Sequence, residues 1–164
     1  MINQTRRTFL RLSAFGSAGI LLPVSFVSTQ TITRGPALAP DLVKEFVVSA
    51  HGNLKRTREM LEEQPGLLNA SWDWGDGDFE MGIEGAGHVG SKEIAKYLIS
   101  QGARMTIFVA VMLGELEIVK MMLAAYPDMI HGKGPHGLTF LHHAKKGGDE
   151  ALPVLEYLQS MGAS

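Results

Sequence analysis

From Asp41 onward, apolar residues recur at three- and four-residue spacing in short runs, each closed by glycine or proline. That is the period of an amphipathic helix with a stop signal behind it. The clearest run is Gly114 to Leu123, where Ile118, Met121 and Met122 share a face and Glu115 and Glu117 lie in the first turn. Acidic groups there complement the helix dipole. Gly90 to Ala103 carries the same pattern. Leu54 to Gln64 is mostly charged, with Lys55, Arg56, Arg58, Glu59, Glu62 and Glu63, as suits the polar outer face of an end unit. Helix stops are expected at Gln64-Pro65 and Tyr126-Pro127, because proline lacks a donor and crowds the preceding residue. Asp41, after Pro40, is the expected cap of the first helix.

The pattern repeats. Met60-Leu61 with Pro65 and Leu67-Leu68 is echoed by Met122-Leu123 with Pro127 and Met129-Ile130. Tyr97-Leu98 with Gly102-Ala103 is echoed by Tyr157-Leu158 with Gly162-Ala163. Two further strings carry a family likeness, Gly114 with Glu117-Ile118-Val119-Lys120, and Thr139-Phe140-Leu141-His142. Together they resemble the ankyrin repeat, over roughly the last three quarters of the chain. The resemblance implies an all-α, ankyrin-like helical repeat solenoid of about four helix pairs. It also implies that His142 ties one turn to the next by hydrogen bonds, that His143 points toward a concave face, and that His51 and His88 are solvent contacts beside turns. The turn glycines Gly52, Gly90, Gly114 and Gly148 depart from the family step of about 33 residues. The short interval from Gly90 to Gly114 leaves no room for a projecting loop, so Gly102 to Met105 must turn almost directly into the next helix.

Charge and composition add an address. The first 34 residues carry Arg6, Arg7, Arg11 and Arg34 and no acidic residue. Arg6-Arg7-Thr8-Phe9-Leu10, followed by a mildly apolar stretch to Val27, resembles the twin-arginine export signal. Arg6, Arg7, Phe9 and Leu10 are its signal residues, and the resemblance implies bacterial export in a folded state. Residues 1–39 are expected to be signal peptide and flexible tether, and residues 40–164 the repeat domain. The location expected is the periplasm, with an N-terminal anchor in the inner membrane as the alternative. The domain after residue 34 has more acidic than basic side chains. It is a poor candidate for nucleic acid and for an anionic membrane. Membrane contact is expected only transiently, through the signal. The chain has no cysteine, which excludes disulfides, thiolate metal sites and cysteine nucleophiles and fits an oxidising compartment.

Two segments could carry chemistry. Trp72-Asp73-Trp74-Gly75-Asp76-Gly77-Asp78-Phe79-Glu80 reads first as a projecting turn with packed tryptophans, then as a partner contact, and last as a metal or sugar site. Its spacing does not match an EF-hand. The second segment holds His131, His136, His142 and His143, without a His-Glu-x-x-His motif. No phosphate loop or nucleophile elbow is present. The expected function is therefore a protein–protein interaction module, not an enzyme, with no metal and no cofactor. Its contact residues would be Trp74, Asp76, Asp78, Phe79, Phe108, His136, Phe140 and His143, aromatic and charged groups of the kind that anchor interfaces. The alternative is a metal-dependent hydrolase or a calcium-dependent binder using the histidines or the Trp/Asp loop.

Overall fold

The computed structural model describes residues 35–163. Arg6, Arg7, Phe9 and Leu10 thus lie outside the described residues. The described chain is mostly helical. Its α-helices are α1 (Pro40–Ala50), α2 (Leu54–Glu63), α3 (Gly82–Val89), α4 (Lys92–Ser100), α5 (Ile107–Leu113), α6 (Leu116–Ala125), α7 (Phe140–Lys146) and α8 (Leu152–Ser160). The Trp/Asp segment, expected as a projecting turn, forms an antiparallel hairpin of β1 (Ser71–Asp73) and β2 (Phe79–Met81). Trp72 is opposite Glu80 and Asp73 is opposite Phe79.

Local chemistry sets most boundaries. Pro40 opens α1, where its missing N–H would have no helical partner anyway. Asp41 therefore sits in the first turn, and Ala39 rather than Asp41 occupies the cap. The Asn53 side chain caps α2 by accepting from Arg56 N. Thr139 caps α7 by accepting from His142 N. Short 3-10 turns follow both proline stops, at Pro65–Asn69 and Pro127–His131. Gly90 and Gly114, both at left-handed φ, end α3 and α5, a conformation glycine adopts without steric cost.

Helices α1 and α3 pack together, as do α3 and α5, and α5 and α7. Each also contacts the helix that follows it in the chain. Two apolar clusters result. One joins Phe46, Met60, Leu67, Ile83, Leu98 and Met112. The other joins Ile107, Val119, Leu123, Phe140, Val154 and Leu158. Helix α5 supplies both, because Ile107-Phe108-Val109-Ala110-Val111-Met112-Leu113 is apolar all round and so can bury both faces. Leu38, placed by the sequence in the tether, packs against the first cluster. Among the described residues no helix is long and apolar enough to cross a membrane.

Candidate metal centre

Four side chains from distant parts of the chain converge. His51 follows α1, Glu80 lies on β2, His88 is in the last turn of α3, and His136 sits in the turn before α7. One ligand atom from each lies within 4.8 Å of the others. His88 Nε2 is 2.8 Å from Glu80 Oε1, His136 Nε2 3.5 Å and His51 Nε2 3.6 Å. His51 Nε2 and His88 Nε2 are 3.0 Å apart. A tetrahedral ion bound at about 2.0–2.1 Å spaces its donors by about 3.3 Å, and these distances straddle that value.

Glu80 is fully buried, and its Oε1 has no aligned hydrogen-bond donor among the described residues. Its nearest polar neighbour is His88 Nε2, at 2.8 Å. The four donor atoms lie within 4.8 Å of one another. Burying a carboxylate oxygen without a partner is costly, and a cation between them would satisfy it.

The surrounding contacts aim these groups. His51 Nδ1–H donates to the Val47 carbonyl at 2.8 Å. His136 Nδ1–H donates to Asp78 Oδ2 at 2.8 Å. Both bonds leave Nε2 of a neutral ring free to ligate. The Trp74 indole N–H donates to Glu80 Oε2 at 2.8 Å. Burial pushes the Glu80 carboxyl up, but the neighbouring imidazoles and the Trp74 indole outweigh it and hold the group below its usual value. The backbone N–H of His136 is the main cause that lowers Asp78. Gly85 clears the space for His51. A Cβ at Gly85 would stand 2.7 Å from His51 Cε1.

The hairpin explains why carboxylates meet imidazoles here. Successive side chains along a strand alternate faces, so Asp78 and Glu80 fall on one side. Asp73 is used locally, accepting from Gly75 N at 2.9 Å. Asp76 is exposed at the turn with φ 55. Beside the centre is a shallow pocket of about 290 Å³ lined by Asp78, Phe79, Glu84, Phe108, Lys133 and Pro135 among others. Burial raises the Glu84 carboxyl, which also accepts from Met81 N at 2.9 Å.

The expected contact residues therefore separate. Asp78 and His136 belong to the cluster and its support. Trp74, 38% exposed, supports Glu80. Phe79 is 58% exposed and Asp76 is open to solvent. Phe108 is half-buried, with its ring 4.7 Å from Phe140 and 5.0 Å from His143. Phe140 and His143 are each 1% exposed, which removes both from any contact surface. Phe140 fills the second core, and His143 Nδ1–H donates to the Thr139 carbonyl at 2.9 Å. His142 does bridge turns, donating from Nε2 to the His88 carbonyl at 2.8 Å.

The expectation for His51 and His88 is corrected. They turn inward to Glu80 because α1 and α3 pack side by side and bring their C-terminal ends together. The sequence held no specific signal for this: His51, His88 and His136 each stand one or two residues before a glycine, but so does His131, before Gly132, and it is not in the cluster. No known family model matches the chain, and no curated protein matches it.

Proposed function

We propose that this chain is an exported, ankyrin-like repeat protein that holds a first-row transition metal between His51, Glu80, His88 and His136. One observation carries the reading: the buried Glu80 Oε1, with no aligned hydrogen bond, lies 2.8 to 3.6 Å from three imidazole Nε2 atoms. Neutral imidazole with a carboxylate suits zinc, copper, iron or nickel. Calcium and magnesium take oxygen donors, which counts against a calcium-dependent binder. Four protein donors fill a tetrahedral set, whereas a hydrolytic centre keeps a position for water, so the reading is of a metal holder and not an enzyme. The repeat architecture is supported by the pairing of successive helices and by the Thr139 cap and His142 bridge. Export to the periplasm is supported by Arg6-Arg7-Thr8-Phe9-Leu10 and by the absence of cysteine.

The test is metal analysis of the purified full chain, followed by Co²⁺ titration after metal removal. The expected result is one equivalent of metal and an intense visible Co²⁺ spectrum that His51→Ala with His88→Ala abolishes. No stoichiometric metal and no such spectrum would overturn the reading. A protein-contact role is a second reading, supported by exposed Phe79 on the hairpin beside Trp74. Phe79→Ala with Asp76→Ala would then abolish capture of a periplasmic partner at unchanged Tm, and retained capture would rule that surface out.

A further inference from the structure

Resting on that metal reading, we infer that Asp78 is the positioning residue that preforms the centre, by fixing both the backbone and the ring of His136. Its carboxylate makes two bonds to one residue. Oδ1 accepts from His136 N at 2.8 Å, and Oδ2 accepts from His136 Nδ1 at 2.8 Å. This pairs two segments far apart in sequence, the hairpin and the turn Pro135–Gly137.

The conformation it holds is an unfavourable one. His136 has φ 59 and Gly137 has φ 67. A left-handed backbone is natural for Gly137 but disfavoured for a residue with a Cβ. A turn alone would be served better by glycine or asparagine at this position. Strained backbone persists where surrounding contacts over-determine it, characteristically at functional sites. Asp78 supplies those contacts.

The ring bond also selects the tautomer. With Nδ1–H given to a carboxylate, Nε2 keeps its lone pair and faces Glu80 Oε1 at 3.5 Å. A carboxylate on the far nitrogen makes an imidazole a better ligand, and loss of such a partner typically weakens metal binding 10–100-fold. Alternation along the strand then gives the acidic hairpin a division of labour. Glu80 would bind the ion directly, and Asp78 would orient a ligand. Phe79, between them, points to the other side, and Asp76 is exposed in the turn.

The experiment compares the wild-type full chain with Asp78→Asn, Asp78→Ala and the control Asp76→Asn. Zn²⁺ affinity is measured by competition with a chromophoric chelator, Tm is measured on the metal-free proteins, and ¹⁵N NMR reads the His136 tautomer. Asparagine has one acceptor oxygen and can serve only one of the two bonds. Expected are a roughly 10-fold loss for Asp78→Asn and up to about 100-fold for Asp78→Ala, with Asp76→Asn unchanged. The His136 Nδ1–H form would dominate in wild type and become mixed in Asp78→Ala. If wild type binds Zn²⁺ and both Asp78 variants bind within twofold of it, this inference fails while the metal reading stands. If wild type binds neither Zn²⁺ nor Co²⁺, both fail. Asp78→Asn, the milder change, keeps the comparison valid should Asp78→Ala not fold.

Discussion

Two neighbouring histidines, His142 and His143, share a helix turn and do different things because their surroundings differ. His142 is half-exposed and spends its ring N–H on the His88 carbonyl. His143 is buried beside Phe108 and Phe140. Burial, the largest cause, pushes its pKa from 6.5 down to about 4, against the opposing Thr139 bond. The sign follows directly. The unfolded chain takes up this proton near pH 6.5, and the native state takes it up only near pH 4. The resulting stability is fully present above about pH 6.5 and is lost as the pH falls toward 4, by on the order of 3 kcal/mol. Urea midpoints measured from pH 7 to pH 4 should fall accordingly, and His143→Leu should flatten that slope. An equal slope in the variant would place the acid sensitivity elsewhere. At this scale the sequence was legible where a residue acts locally. The proline stops were readable from the residues, and the His142 bridge only from the family resemblance. His51 and Glu80 were not, because their chemistry depends on which helix lies across from them.

Helix α3 shows the same limit one level up. Gly82-Ile83-Glu84-Gly85-Ala86-Gly87-His88-Val89 is a poor helix former, since each interior glycine costs roughly 1 kcal/mol relative to alanine. Its glycines are explained by what they admit. A Cβ at Gly82 would stand 2.8 Å from Phe46 Cε1, and one at Gly87 would stand 3.1 Å from Val109 Cγ2. The helix is thus a thin slab between α1 and α5, and its thinness sets where His51 and His88 meet. Gly85→Ala should raise intrinsic helix propensity yet weaken Zn²⁺ binding by at least tenfold, because the new methyl group occupies the His51 ring's place. Gly82→Ala should instead lower stability by about 1–3 kcal/mol through overpacking. Calorimetry and metal titration on the two variants separate these outcomes. An unaltered affinity in Gly85→Ala would show that the ring relocates freely. Helix existence and stops could be read from periodicity, but the hairpin could not. Trp72 to Glu80 alternates weakly and is crowded with Gly and Asp, so only its turn was visible.

Over the whole chain, the ligand set straddles the two apolar clusters. His51, Glu80 and His88 stand on elements of the first, and His136 precedes α7, which belongs to the second. A bound ion would couple their opening. Metal at about a thousand times its Kd would add about 4 kcal/mol, a rise in Tm on the order of 10 °C for a domain of this size. In the metal-free chain, amides of α7 and α8 should exchange faster than those of α1 and α3, and Zn²⁺ should narrow the gap. Identical exchange with and without Zn²⁺ would mean that the halves are coupled through α5 alone. The turn before α7 has a further consequence. A chain without cysteine cannot close a covalent loop. An ion shared by His51 and His136 closes one through coordination, and a cross-link over a loop of that length is worth roughly 4.5 kcal/mol by chain entropy. It would be a staple indifferent to reductants, opened by chelators and acid, and made only once the folded chain has brought its two ends together.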